Sequence, residues 1–187
     1  KMGKKISIDS ATMMNKVFEI IEAKKIFNIP YNKLKILIHP NSYVHAIIKF
    51  NNGMIKVIVH ETSMKIPIFN TLYQKNQKLF NTKKIDIKKL NFLNFTIIDI
   101  KRFPVVKIID FLPKKNSLFE TVLVSANDAL VNLFLKKKIK YNDISKKLLK
   151  IVTSKEFIKY KSKIPTKIED INNLDKFVRF KINTLEI

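Results

Sequence analysis

The chain has 187 residues, 46% of them hydrophobic, with a formal net charge of +22 and no cysteine. That hydrophobic content excludes a disordered tail and suffices for one sizeable core or two small ones, while the missing cysteines exclude disulfides, a thiolate metal site and a cysteine nucleophile. The charge alone suggests a polyanion such as nucleic acid, but arginine occurs only at Arg102 and Arg179 and the lysines are scattered over every segment, unlike the Arg-rich stripes of base and phosphate readers.

Lys4 to Ile8 alternates like a short strand, and a helix is expected from about Ala11 to Ile26, with Asp9 and Ser10 at its N-cap. Leu34 to Ile38 is a compact apolar run that reads as a buried strand. Ala46 to Phe50 and Met54 to Val59 flank Asn51-Asn52-Gly53, a strong hairpin signal. Pro67 to Phe80 is expected to be helical, followed by a Lys-rich connector from Asn81 to Lys101 with a strand-like piece at Phe95 to Ile98. From Pro104 the period becomes helical, with helices predicted over Val105 to Phe111, Leu118 to Lys138, Asp143 to Phe157 and Ile168 to Leu185, punctuated by Pro113 and Pro165. The expected fold class is an α/β (α+β) catalytic subdomain with a small mixed sheet and the first helix packed on it, followed by an all-α helical bundle. The expected boundaries are 1–75 for the catalytic part, 76–101 for a linker and 102–187 for the helical domain.

The first helix carries the chemistry. On a helical wheel Thr12, Asn15, Lys16 and Glu19 fall within an arc of about 100°, with Met13, Met14, Val17, Phe18 and Ile21 on the other side. If Ser10 caps this helix, the free N–H groups and positive dipole end suit a phosphate. Asn15 can donate a hydrogen bond, Lys16 supplies a point charge, and Glu19 offers a carboxylate to a hard divalent cation. The same spacing also describes a surface Lys16–Glu19 ion pair with Ser10 as a plain cap.

Residue identity goes further. The run Met2-Gly3-Lys4-Lys5-Ile6-Ser7-Ile8-Asp9-Ser10-Ala11-Thr12-Met13-Met14-Asn15-Lys16, followed by Glu19, closely resembles the signature M-G-[RK]-K-I-S-[VI]-D-S-A-T-M-M-N-K-x-x-E of the 1-deoxy-D-xylulose 5-phosphate reductoisomerases. Ile38-His39-Pro40-Asn41-Ser42-Tyr43-Val44-His45 looks like that family's I-H-P-Q-S-x-I-H. Asn52-Gly53 matches its D-G hairpin tip, Arg102-Phe103-Pro104 its R-[FY]-P, and Ala126-Asn127-Asp128 the A-N-E of its N-A-A-N-E.

The resemblance implies an NADPH- and divalent-metal-dependent oxidoreductase of isoprenoid biosynthesis, using Mg²⁺ or Mn²⁺. Its substrate would be a phosphorylated sugar, rearranged and reduced to 2-C-methyl-D-erythritol 4-phosphate. It implies that Ser10, Asn15 and Lys16 hold the phosphate and substrate oxygens, that Glu19 binds both metal and substrate, and that Gly3 and Met64 touch NADPH. It assigns Lys16, Glu19 and His45 to catalysis, His45 in substrate binding or proton handling. His39 and His60 read as fillers, since no pair has the i,i+4 spacing of a helical zinc site. A homodimer is implied for the full enzyme, in the bacterial cytoplasm or the plastid stroma.

Departures are equally plain. The family's lid motif G-x-P-D-M-R-x-P-I is here His60-Glu61-Thr62-Ser63-Met64-Lys65-Ile66-Pro67-Ile68, so its Gly, first Pro, Asp and Arg are replaced. There is no G-x-G turn after a strand, hence no NADPH-binding domain in this chain, and no D-S-E segment for further metal ligands. The isolated 187-residue chain is therefore expected to be inactive. No apolar run approaches the roughly 18 residues of a membrane span, and Lys1-Met2-Gly3 lacks a signal peptide's apolar core. The chain reads as soluble and intracellular. The expected function is that of a truncated reductoisomerase. The alternative is a non-catalytic phosphate- or nucleic-acid-binding remnant, with nucleic acid not expected as the principal partner.

Overall fold

The computed structural model describes residues 3–73, 80–84 and 86–184. In chain order its elements are α1 (Lys4–Thr12), α2 (Met14–Phe27), β1 (Leu37–Ile38), β2 (Val44–Lys49), β3 (Ile55–Val59), α3 (Lys65–Leu72), α4 (Ile87–Asn91), β4 (Thr96–Ile97), α5 (Phe119–Leu135), α6 (Tyr141–Thr153), α7 (Lys155–Ile158) and α8 (Ile168–Thr184). Three short 3-10 helices add to these, the longest over Pro104–Phe111. The contacts divide the chain into two units, residues 1–35 with 99–187 and residues 36–98. This division differs from the expected boundaries, because the first two helices belong with the helical unit and not with the strands.

In the helical unit α5 is the centre. Its Phe119, Val122, Leu123, Ala126, Ala129, Leu130 and Val131 are buried, and it packs against α8, α6 and α1. Each large side chain so buried stabilises the fold by about 1.5–3 kcal/mol relative to exposure. α6 presents Ile144, Leu148, Ile151 and Val152, an i, i+4, i+7, i+8 stripe, and α8 presents Leu174, Val178 and Ile182, an i, i+4, i+8 stripe. The start of α8 is fixed by Asp170, whose Oδ2 accepts from the Thr166 amide and hydroxyl and from the Lys167 amide, at 2.9 to 3.1 Å. The helix expected over Asp143 to Phe157 is two helices, broken at Ser154, and the one expected over Val105 to Phe111 is 3-10.

The largest departure lies at the start. Lys4 to Ile8 is helical and not a strand. The inward face of α1 is polar, with Asp9 and Thr12 buried and Ile6 52% exposed, so a search for apolar period reads the wrong residues. The helix expected from Ala11 is interrupted at Met13, which takes a left-handed conformation with φ 67° between α1 and α2. For a residue with a Cβ this costs about 1–2 kcal/mol, so the surroundings must hold it. Asp9 and Ser10 consequently lie inside α1 and cap nothing, and Thr12 faces the core instead of sharing a surface with Asn15. α2 buries Met14, Val17, Ile20 and Ile21 and packs on the 3-10 helix at Pro104–Phe111.

The second unit is α+β, with two antiparallel two-stranded pieces in place of one mixed sheet. β1 pairs with β4 and β2 with β3. Of the buried strand expected at Leu34 to Ile38 only Leu37–Ile38 pairs as a strand, and Leu37 is 46% exposed. The hairpin falls where the turn residues place it. Gly53 has φ 87°, the Met54 amide donates to Asn52 Oδ1 at 3.1 Å, and the Phe50 amide donates to the Met54 carbonyl at 2.9 Å. The register is irregular between Val44 and Ala46, which puts His45 at a β-bulge. Of the helix expected over Pro67 to Phe80, α3 accounts for the part to Leu72, and residues 74–79 lie outside the described residues. Leu185 lies outside them too. Among the described residues no helix is long and apolar enough to cross a membrane.

Candidate active site

Ser10 lies half-buried in the last turn of α1, and Asn15, Lys16 and Glu19 follow on the first turns of α2, so the left-handed Met13 forms a corner between them. Across that corner Asn15 Nδ2 donates to Ser10 Oγ at 3.4 Å. The Lys16 Nζ lies 2.9 and 3.1 Å from the two Glu19 carboxylate oxygens, with both side chains well exposed. One amide, one hydroxyl, one ammonium and one carboxylate thus share a single surface. Three of the first amides of α2, those of Met14, Lys16 and Val17, are engaged locally. Met14 N–H donates to Thr12 Oγ1 at 3.4 Å and Lys16 N–H to Asn15 Oδ1 at 2.9 Å, and Ser10 lies inside α1 instead of capping the helix that carries Asn15 and Lys16.

Behind the corner lies a polar cluster that sequence reasoning missed. The buried Asp9 carboxylate accepts a 2.8 Å hydrogen bond from Asn127 Nδ2 and pairs with Lys5 Nζ at 2.9 Å. Lys5 also pairs with Asp128 at 2.9 Å. Asp128 in turn pairs with Arg179 at 3.0 Å, and Arg179 with Asp175 at 2.8 Å. Burial works against the Lys5 ammonium, but hydrogen bonds and charge from Asp128 and Asp9 outweigh it and raise its pKa. The balance at Arg179 has the same form, with Asp128 and Asp175 overcoming burial. The only available signal was that Asp9 and Asn127 both sit in segments resembling family motifs.

Gly3 is the N-cap of α1, and its carbonyl accepts from the Ser7 amide and hydroxyl, each at 3.1 Å. A Cβ added at Gly3 would meet nothing within 4 Å, so no contact among the described residues demands glycine there.

The other two site residues belong to the second unit. The exposed His45 stacks on His60 with ring centroids 3.5 Å apart and an interplanar angle of 5°. His45 Nε2 donates to the His60 carbonyl at 3.2 Å and His60 Nδ1 to the Glu61 carbonyl at 2.6 Å, which fixes the tautomer of each ring. His60, read from sequence as a filler, is therefore the partner of His45. Met64 is the N-cap of α3 and is 69% exposed. The loop before it is tied at Glu61, whose carboxylate oxygens both lie 3.1 Å from Lys89 Nζ. His39 holds β1 to the segment before β4, its Nδ1 donating to the Asn94 carbonyl at 2.9 Å.

A helical bundle with a polar corner on its first two helices, together with a hairpin unit that carries a histidine and a loop, defines a class of two-unit α+β domain. Comparison with known proteins narrows the class. Residues 60–181 match the family described as DXP reductoisomerase C-terminal domain, and residues 1–27 match the one described as 1-deoxy-D-xylulose 5-phosphate reductoisomerase C-terminal domain. The chain belongs to the family described as DXP reductoisomerase C-terminal domain, whose match spans more than half of its length.

A 1-deoxy-D-xylulose 5-phosphate reductoisomerase of Pelagibacter ubique (strain HTCC1062) is 60% identical over 186 residues, covering 100% of this chain and 48% of the relative. The solved reductoisomerase of Zymomonas mobilis in complex with NADPH superposes with a TM-score of 0.85 at 34% identity, over 96% of this chain and 46% of that one. A DOX-P reductoisomerase solved with NADPH, fosmidomycin and magnesium gives a TM-score of 0.88 at 30% identity, over 98% of this chain and 46% of that one. The chain spans about half the length of the curated relatives it matches.

Proposed function

We propose that this chain supplies the substrate-binding corner of an NADPH- and metal-dependent 1-deoxy-D-xylulose 5-phosphate reductoisomerase. The observation that carries the reading is the corner that brings the half-buried Ser10 and Asn15, hydrogen-bonded to each other, next to the exposed Lys16–Glu19 pair. Ser10 and Asn15 donate hydrogen bonds to phosphate oxygens of the substrate, and Lys16 adds a point charge that draws the dianion in. On binding, Lys16 exchanges Glu19 for the substrate, which releases the Glu19 carboxylate as a hard oxygen ligand.

Glu19 fits that role in chemistry and exposure, but it is one ligand. Among the described residues no group of three His, Cys, Asp or Glu is close enough together to hold a metal. The remaining carboxylates must come from outside those residues. Likewise the sequence has only two glycines, Gly3 and Gly53, and no dinucleotide-binding turn. The open space beside Gly3 fits close approach of a cofactor to the backbone. When bound, a magnesium or manganese ion stabilises charge on the substrate's carbonyl and hydroxyl oxygens, and NADPH supplies the hydride.

His45 is assigned to substrate binding or proton handling, and the exposed Met64, like Gly3, to contact with NADPH. The full enzyme is proposed as a homodimer of the bacterial cytoplasm or plastid stroma, in isoprenoid biosynthesis. The test is Lys16→Met in an enzyme assembled with a cofactor-binding half. KM for the phosphorylated substrate should rise by about tenfold or more, with kcat less affected. An unchanged KM would remove Lys16 from the site.

A further inference from the structure

α1 meets the bundle through polar groups. Its buried residues are Asp9 and Thr12, and it lacks the apolar stripe by which α6 and α8 dock. Asn127, fully buried on α5, donates to Asp9 Oδ1 at 2.8 Å. Lys5 bridges the other Asp9 oxygen to Asp128, and Arg179 of α8 bridges Asp128 to Asp175, which also accepts from Ser125 Oγ at 2.6 Å. Asn127 Oδ1 is buried with no hydrogen-bond partner among the described residues, so the fold tolerates an unsatisfied acceptor in order to hold Asp9.

Two physical points bear on this. Apart from Asp9 the charged groups are partly exposed, and ion pairs of that kind contribute about 0–1 kcal/mol each, so stability is a weak reason for the cluster. Hydrogen bonds are directional, whereas an apolar face allows a helix to slide and rotate. Ser10 follows Asp9 directly, and the chain then turns through the left-handed Met13 to Asn15 and Lys16. A strained corner of this kind persists only when its surroundings over-determine it.

We propose that Asp9, Asn127, Lys5, Asp128 and Arg179 form a positioning device that sets the angle between α1 and α2, and so the spacing of Ser10 from Asn15 and Lys16 for the substrate phosphate. This inference rests on the proposed function of the corner. The cluster touches no substrate and acts through Ser10.

Asp128 is the residue to change, because it is partly exposed and links both cations. Asp128→Asn removes its charge at constant shape, and Asp128→Glu keeps the charge. In the assembled enzyme Asp128→Asn should raise KM by about tenfold, in the direction of Ser10→Ala, with kcat changed far less, and Asp128→Glu should restore most of it. In the 187-residue chain, amide hydrogen exchange over Ser7 to Thr12 should quicken in Asp128→Asn while α6 keeps its protection. Arg179→Met, on the exposed flank of α8, should give the same two signatures and serves if Asp128→Asn folds poorly.

A lower Tm with unchanged KM would reduce the cluster to a structural one and overturn the proposal. So would unaltered exchange in α1. If Ser10→Ala itself leaves KM unchanged, the functional reading of the corner fails instead, and α1 exchange still decides whether the cluster holds the helix.

Discussion

Lys16 Nζ lies 2.9 and 3.1 Å from the two carboxylate oxygens of Glu19, one turn further along α2, with the lysine side chain 41% and the glutamate side chain 53% exposed. A pair this exposed contributes about 0–1 kcal/mol to stability. Its two members are therefore available to other partners.

The sharpest prediction follows from that. Glu19→Gln in the assembled enzyme keeps size and helix propensity while removing the charge, so the fold should survive and metal affinity fall. The expected outcome is a kcat loss far larger than a surface pair could explain, only partly restored by extra Mg²⁺ or Mn²⁺. In the 187-residue chain the same substitution should change stability by less than about 1 kcal/mol in denaturant titration. Wild-type kinetics at limiting metal would remove Glu19 from the site.

The isolated chain gives a second test. Its two glycines, Gly3 and Gly53, form no G-x-G turn. Purified alone, it should bind a phosphorylated substrate weakly and show no NADPH oxidation. Turnover by this chain on its own would contradict the division of labour proposed between it and a cofactor-binding half.

Charge gives a third. If the formal +22 were a nucleic-acid surface, duplex DNA affinity would be substantial at physiological salt and fall steeply as salt is added. The expected result is weak binding that Lys16→Ala leaves unchanged, since one lysine among many contributes little. Lys16-dependent, sequence-selective binding, measured by fluorescence anisotropy, would favour the nucleic-acid reading.

Tyr31 supplies a pH prediction. Burial first, and then the Glu120 charge, push its hydroxyl from 10.0 up to about 12. The folded state therefore holds this proton more tightly than the unfolded chain. The resulting stability is fully present below pH 10 and is lost as the pH rises from about 10 to about 12. Tyrosinate absorbance should show a component titrating near the top of that window, and Tyr31→Phe should abolish it. A Tyr31 that titrates at an ordinary tyrosine pKa would show that it is not shielded in this way.

Much was legible in the sequence because it is written locally. α5, α6 and α8 follow from apolar residues recurring at helical spacing, and the β2–β3 hairpin follows from Asn51-Asn52-Gly53, where only a residue tolerant of positive φ suits position 53. The contiguous run from Asp9 to Glu19 also carried the family and the candidate corner, since residue identity survives whatever the backbone does.

Other features were decided only in three dimensions. The alternation of Lys4 to Ile8 points to a strand, but the segment is the start of α1, whose inward residues Asp9 and Thr12 are polar and silent to any search for apolar period until their partner is known. That partner, Asn127, is 118 positions away on α5. The left-handed turn at Met13 has no local signature, because methionine does not favour positive φ. Similarly, the stacking of His45 on His60 depends on the β2–β3 register and the bulge at His45. The sequence by itself determined which groups are available and which helices bury an apolar stripe. The tertiary structure alone decided which polar groups meet, because a hydrogen bond or ion pair is specified by a partner that need not be near in the chain.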